Sequence, residues 1–447
     1  MPIRTLRRIA LALACLCIPS FGCLAHAQSL TLKTALQRAL ASNPRLTAAA
    51  RDMGIASGLR VQAAAMPNPE LSFELDNAFG SRNGQITQSG AQAGDIGNSN
   101  NDNKAKDYRG LRAAETTLQI GQLIELGGKR DARIAVGIAG EKAAFWQYRA
   151  AELDLLTETA SAFVLVVALQ RKIEIFDEQI AAFEPLLPLL EKRVREGASS
   201  PAETLRAKAA ADMYRVDRTR SQTQLDVARR ELSTLMGETS PSFARAIGRL
   251  GATGRPAPLK RVIAAIEANP QLARWTATIA QRDAELVSAR LKAIPDVRIY
   301  AGWRHYNETN DNGVRLGLSM PLPIFDRNVG NIAAAEASAD KSAAELSNAR
   351  LTLIGMAGRA HSTIAGAQSE IRQLHEKVIP EARGAADAVF AGYAQGRFSL
   401  LEVLDSRNLL IQVLLREQDA QQTFHIAVAT LEGLMGSPLS VAQELSK

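Results

Sequence analysis

The sequence predicts a mainly helical chain with a small β part, made of two internal repeats that each contribute two strands and a pair of long antiparallel helices. Three observations predict it. One stretch reads as a helix far longer than a globular one, apolar residues and end motifs recur at a constant offset, and in each copy the apolar period changes from helical to two after a proline.

The long stretch runs from Gly128 to Arg195, roughly 100 Å at about 1.5 Å of rise per residue. Pro185 and Pro188 are expected to bend or interrupt it near its far end, because each lacks an amide donor and crowds the preceding turn.

The repeat begins with Ala35 to Leu46, echoed by Val262 to Leu272; both carry Asn-Pro, at Asn43-Pro44 and Asn269-Pro270. Each opens a helical run of about thirty residues that stops at a proline, Pro67 or Pro295. Then Leu71, Phe73 and Leu75 alternate with Glu70, Ser72, Glu74 and Asp76. In the second copy Val297, Ile299, Ala301 and Trp303 alternate with Arg298, Tyr300 and Arg304, so these are strands with one apolar and one polar face.

Returning strands are expected from Thr116 to Ile124, where Gln122 breaks the alternation, and from Val314 to Met320, which alternates cleanly. The second hairpin is expected to turn through Asn307 to Gly313, with Asn312-Gly313 as its turn signal. The first has a long connection from Asn77 to Ala113, with Gly80, Gly84, Gly90, Gly94 and Gly97 among Asn, Gln and Ser, the composition of a mobile surface loop.

Each returning strand leads into a long helix, the first after Gly127-Gly128 and the second after Pro321 to Gly330. The helices end at matching tips, Arg195-Glu-Gly197-Ala-Ser-Ser200 and Tyr393-Ala-Gln-Gly396-Arg-Phe-Ser399, and a final helix returns in each half. Leu225, Ala228, Leu232 and Leu235 step as Phe424, Ala427, Leu431 and Leu434 do, at an offset of 199, with the spacing of a coiled-coil seam. The repeats are therefore 28–237 and 259–447, with 238–258 as a Gly-, Pro- and Ser-bearing linker or equatorial segment.

Residues 1–27 read as a cleaved secretory signal: Arg4, Arg7 and Arg8, the apolar run Ile9 to Ile18, then Ala25-His26-Ala27, with cleavage between Ala27 and Gln28. All three cysteines, Cys15, Cys17 and Cys23, lie there, which leaves the mature chain without disulfide, thiolate ligand or cysteine nucleophile. A rival reading has Cys23 as a lipidated N-terminus, although Ser20-Phe21-Gly22 lacks the aliphatic residue usual three positions before it.

The formal net charge of +7 falls to +4 without the leader, which gives no case for nucleic-acid binding. The most apolar stretch, Ala162 to Leu169, is shorter than the ~20 residues a bilayer-spanning helix needs. If the chain enters a membrane it does so by strands. Gly127-Gly128-Lys129-Arg130 lacks the spacing and the Ser/Thr of a phosphate-binding loop. His305, His361, His375 and His425 are scattered, so no enzyme, cofactor or metal site is expected. Tyr300 and Trp303 fit strand packing or an interfacial aromatic girdle.

Four strands cannot close a barrel, and an open edge in lipid leaves backbone groups unpaired at several kcal/mol each. Several chains must share one barrel, with the helices continuing from it into the adjoining aqueous space.

Over the whole mature chain the sequence resembles the TolC-type outer-membrane factors, and within them the outer-membrane components of cobalt-zinc-cadmium cation efflux systems. The resemblance is carried by Asn43-Pro44, Pro67-Asn68-Pro69-Glu70-Leu71, Leu126 to Arg130, Met320 to Asn328, Ile379-Pro380, Tyr393 to Gly396 and Glu402 to Asp405. It implies a homotrimer in the outer membrane, its twelve strands forming one transmembrane β-barrel in contact with lipid and its helices a periplasmic tunnel. It further implies two partners, a periplasmic adaptor and an inner-membrane pump of the resistance-nodulation-division (RND) class. The chain would then be a passive exit duct for divalent heavy-metal cations. General drug efflux and type I secretion are alternatives within the family, and a secreted helical scaffold or adaptor without a barrel is the alternative outside it.

The resemblance places adaptor contacts at the tips, on Gly197, Ala198 and Ser200 and on Gly396, Arg397 and Ser399; the plain alternative is helix-hairpin turns. Glu203, Arg206, Asp405 and Arg407 lie one to two turns beyond and are candidates for an entrance gate or charged ring. Surface salt bridges are the alternative there.

Overall fold

The computed structural model describes residues 28–78, 81–82, 108–109, 111, 114–251, 254 and 257–436. The leader with Cys23 and Ala27, most of the Gly-rich connection between the first two long strands, and residues 437–447 lie outside them.

The first half runs β1 (Gln28–Thr31), α1 (Leu32–Ser42), α2 (Pro44–Ala63), β2 (Glu70–Asp76), the two-residue β3 (Ser81–Arg82) and β4 (Tyr108–Arg109), then β5 (Glu115–Ile124), α3 (Lys129–Ala181), α4 (Leu186–Arg195) and α5 (Pro201–Leu235). The second half runs β6 (Phe243–Ile247), α6 (Leu259–Ile266), α7 (Pro270–Leu291), β7 (Val297–Tyr306), β8 (Asp311–Ser319), α8 (Val329–Gln373), a π-helical turn (Leu374–Val378), α9 (Ile379–Ala394) and α10 (Leu400–Met435). Among the described residues no helix is long and apolar enough to cross a membrane.

The prolines act where expected. The first long helix stops at Ala181 and restarts behind Pro185. Its counterpart in the second half absorbs the break differently, as the π turn followed by α9 with Pro380 in its first turn.

Both thirty-residue runs were expected as single helices and are two each. Asn43 caps α2 by accepting from the Arg45 amide at 2.8 Å, and its side-chain amide donates to the Leu235 carbonyl at the end of α5, 2.8 Å away. Asn269 does the same for α7, accepting from Gln271 N at 2.7 Å and donating to the Gly433 and Leu434 carbonyls at 3.1 and 2.8 Å. One side chain thus closes the start of one helix and the end of another. Proline at the first helical position costs nothing, since that amide is unpaired anyway.

The linker is not a plain connection. It contains β6, which pairs in parallel with β1, and buries Phe243, Ala246 and Leu250. Beneath lie Phe163, Val164 and Val166 of the apolar stretch in α3, all at 0 % exposure, so that stretch is core. The expected seam is buried at Leu225, Ala228 and Leu232 and at all four of its second-half positions.

The long strands form one antiparallel sheet in the order β2-β5-β7-β8. Register lines up Leu71, Ile120, Ala301 and Leu316 in one row and Phe73, Leu118, Trp303 and Val314 in the next, all on the same face. This apolar face is open: Leu71 is 73 % and Val314 82 % exposed. Gln122 also points to that face, at the helical end of the sheet, where it donates to the Pro67 carbonyl at 2.9 Å.

The opposite face carries charges paired across strands: Arg298 with Glu70, Arg304 with Asp76 and Glu115, and Arg315 with Glu74 at 3.5 Å. Arg315 is on β8 and Glu74 on β2, the two outer strands, so this contact requires the sheet to curl with its polar face inside. The expected turn at Asn312-Gly313 is corrected. Both residues lie inside β8, opposite His305 and Arg304, and the turn is 307–310 with Asn310 at φ +56°. Gly317 is required instead by Tyr300, whose ring fills the space a Cβ would take. Tyr300 is therefore strand packing on the inner face, whereas Trp303 lies on the apolar face.

Candidate functional site

The tips are two helix hairpins with the same chemistry. At the first, Gly197 takes φ +70° and the Ala198 amide returns to the Arg193 carbonyl at 2.8 Å; at the second, Gly396 takes φ +75° and the Arg397 amide returns to Gly392 O at 2.8 Å. A residue in the left-handed region followed by this backward bond is how helices end on glycine. Nothing lies within 4 Å of where a Cβ would stand on either glycine, so both are needed for conformation and both leave open surface.

The returning helices start on serines. Ser200 accepts from the Ala202 amide at 3.3 Å with Pro201 next in line. Ser399 forms a full capping box with Glu402, whose carboxylate accepts from the Ser399 amide at 2.7 Å. Those bonds hold the Glu402 carboxyl below its ordinary range.

The hairpins are tied to each other. Arg193 donates to the Tyr393 carbonyl at 2.9 Å and stacks 4.8 Å from that ring's centroid, and the Tyr214 hydroxyl donates to Asn408 Oδ1 at 2.6 Å. Burial pushes the Tyr214 phenol up to about 12. Around these links Leu186, Leu190, Ala207, Tyr393, Leu400 and Val403 form one apolar cluster.

The four entrance candidates are placed near these tips but not joined. Among the described residues no hydrogen bond or ion pair connects any two of Glu203, Arg206, Asp405 and Arg407, and none of the four forms a salt bridge. Arg407 instead lies over the Phe390 ring at 5.8 Å. Asp405 and Arg206 are exposed, Glu203 half-buried.

The Gly-Gly-Lys-Arg stretch has a structural role at the foot of the sheet. Gly127 is at φ +72° with Ile294 filling its Cβ position, and Lys129 meets Asp296 at 2.7 Å. Arg130 donates to the Ala64 carbonyl at 2.9 Å and Arg133 to Ala65 at 3.0 Å, capping the end of α2. Asn328 performs that service for α7, donating to the Ala289 carbonyl at 2.6 Å. These caps, and the Arg193–Tyr393 tie, carry no signal in the sequence beyond the residue types themselves.

Among the described residues no group of His, Cys, Asp and Glu is arranged to hold a metal ion.

Comparison with known proteins completes the description. Residues 35–238 and 263–437 match the family model described as outer membrane efflux protein. The chain is 28% identical over 408 residues to the cobalt-zinc-cadmium resistance protein CzcC of Cupriavidus metallidurans, covering 91% of this chain and 90% of the relative. It is 29% identical to the nickel and cobalt resistance protein CnrC of the same organism, over 73% of each. Among solved structures, the fold matches CusC, described as forming a transmembrane channel, with a TM-score of 0.71 at 17% identity, over 92% of this chain and 93% of that one.

Proposed function

The chain belongs to the outer membrane efflux protein family, outer-membrane channels with a periplasmic helical tunnel rather than enzymes, and on that premise we propose that it is the exit duct of an RND-type tripartite pump for divalent heavy-metal cations. The observation that carries the cargo is the match to metal-resistance proteins along nearly the whole chain, 91% in the case of CzcC.

In this reading three copies close one barrel. Support comes from edges left open at every level of the chain. In the sheet, β2 and β8 each lack a partner on one side among the described residues. In the helical wall, α2 packs extensively on α3 and α8 on α7, whereas α2 and α8 share no extensive contact, and lower down α5 packs on α3 and α9 on α10 with no extensive contact between α5 and α9. At each level one free element belongs to the first half and the other to the second. That is a head-to-tail interface, which generates a closed ring when the rotation closes. Twelve strands with an apolar outer and a charged inner face suit a barrel in lipid.

The tips then meet a periplasmic adaptor through Gly197, Ala198, Ser200, Gly396, Arg397 and Ser399, with an inner-membrane pump beyond it. The open glycine surfaces support this assignment. Glu203, Arg206, Asp405 and Arg407 would ring the entrance, and their lack of ion pairs among the described residues supports their being available for it.

Growth and cell-associated metal of a deletion strain test the reading, across zinc, cobalt, cadmium, nickel and copper and a panel of hydrophobic drugs. Metal sensitivity with raised metal content, restored by the intact gene, is expected. Drug sensitivity with normal metal content would overturn the cargo and move the chain to general efflux.

A further inference from the structure

We propose that the groove where α7 stacks on α10 binds a small zwitterion with an apolar group, its ammonium on Asp154, its anionic group on Arg274 and its apolar part against Trp275, Leu353 and Met356. The site does not depend on the cargo proposed above.

The groove forms where two helices meet end to end. The Asn269 side chain joins the start of α7 to the Gly433 and Leu434 carbonyls near the end of α10, and α3 and α8 each pack on both of the stacked helices. Thr157 of α3 fills the place a Cβ would take on Gly433, which brings α3 and α10 into close contact. Beside that contact the four helices leave a groove of about 570 Å³, a size that suits a small organic ligand. Its wall is apolar at Leu153, Leu353, Met356 and Leu434 and carries the Trp275 ring. Leu353 and Leu434 are core residues, 9 % and 6 % exposed, so this wall is already in place before a ligand arrives.

Four charged side chains line the groove: Asp154, Glu158, Glu345 and Arg274. Two of them have counter-charges. Glu158 pairs with Arg45 at 3.0 Å, and Glu345 with Lys341, one turn before it, at 3.7 Å. The other two do not. Asp154 is held by a neutral group, the Gln271 amide, whose Nε2 donates to both carboxylate oxygens at 2.8 Å. Burial raises this carboxyl above its ordinary value, and the charges of Arg45 and Arg274 pull it the other way without bonding to it. Arg274 lies over the Trp275 ring at 5.5 Å. Among the described residues its guanidinium has no hydrogen bond or ion pair, and Nε is buried.

A half-buried acid and a half-buried base thus share one groove without pairing with each other or with any other charge. Each has given up water and received no counter-charge in return. A cation alone would be repelled by Arg274, and an anion alone by Asp154. A zwitterion satisfies both, and the guanidinium fork suits a carboxylate or a phosphate. An apolar α-amino acid and the headgroup of an ethanolamine phospholipid share this chemistry.

Tryptophan emission tests the site in the full-length protein in mild detergent, with Trp146→Phe and Trp303→Phe so that Trp275 alone reports. Leucine is compared with leucinamide, which has only the cation, and with 4-methylpentanoate, which has only the anion. Lysophosphatidylethanolamine is compared with lysophosphatidylglycerol, which lacks the ammonium. Expected is a saturable emission change with a zwitterion, at an affinity at least tenfold above that of its single-charge counterparts. Saturation by leucine alone assigns the site to free amino acids, and saturation by the lipid alone to headgroups. Asp154→Asn should weaken the zwitterion at least tenfold while strengthening 4-methylpentanoate, and Arg274→Gln should weaken it as much while strengthening leucinamide. Loss of folding cannot produce those opposite changes. No saturable change with either zwitterion, single-charge probes that bind as tightly as the zwitterions, or equal loss of all probes in variants with unchanged helical circular dichroism would overturn the proposal.

Discussion

Arg193 and Tyr393 join the two helical tips: the guanidinium donates to the tyrosine's backbone carbonyl at 2.9 Å and lies 4.8 Å from its ring centroid. One residue comes from the first half and the other from the second, so the hairpins share one anchor. Arg193→Ala should free both. The loss is about 1–2 kcal/mol for a cation–π contact with a charge-assisted hydrogen bond. Amide hydrogen exchange at 193–203 and 393–402 should therefore accelerate by roughly tenfold, with the sheet unchanged. Arg193→Lys should recover only part of this, because an ammonium lacks the planar fork.

The two asparagine clamps should differ in cost. Asn269 is 1 % exposed and serves two carbonyls, whereas Asn43 is 7 % exposed and serves one. Losing an N-cap costs about 1 kcal/mol, and each buried carbonyl left without a donor about 1–3 more. Asn269→Ala should lower the thermal transition of the helical circular dichroism signal more than Asn43→Ala. Equal shifts would mean that the second carbonyl bond and the deeper burial of Asn269 contribute nothing.

His425 makes the equatorial region sensitive to acid. Its Nε2 donates to the Leu250 carbonyl at 2.9 Å, Nδ1 is buried without a partner among the described residues, and burial depresses its pKa below the ordinary 6.5. The unfolded chain therefore binds a proton that the folded chain refuses. Stability falls as pH drops through about 6.5 toward the folded pKa, and levels off below that. His425→Gln should flatten this part of a pH–stability curve; an unchanged slope would assign it to other groups.

Gly396 separates conformation from contact. Gly396→Ala should cost about 1 kcal/mol because φ is +75°, with no clash to add. Gly396→Trp projects from the same open position and should abolish metal efflux while the oligomer still assembles. Efflux at the parental level in that variant would remove the tips from the adaptor contact.

Much of the architecture is legible in the sequence because it is periodic. Leu71, Phe73 and Leu75 announce a two-faced strand, and Gly197 and Gly396 announce paired turns. What is hidden depends on residues far apart in the chain. Asn43 signals a helix start, but its bond to Leu235, 192 residues away, cannot be read from spacing. The parallel pairing of β1 with β6 is hidden for the same reason, and four residues of β1 are too few to show a period. Asn312-Gly313 misleads because glycine in a strand can serve packing as well as a turn. The tip glycines were legible as turns; the Arg193 anchor beside them was not, since arginine on a helix surface is common.

The account depends most on several chains closing one barrel, and the mass of the protein extracted from outer membranes in mild detergent tests that directly. Three chains per particle is the predicted result. A single chain per particle, still folded and still extracted from the membrane fraction, would contradict it.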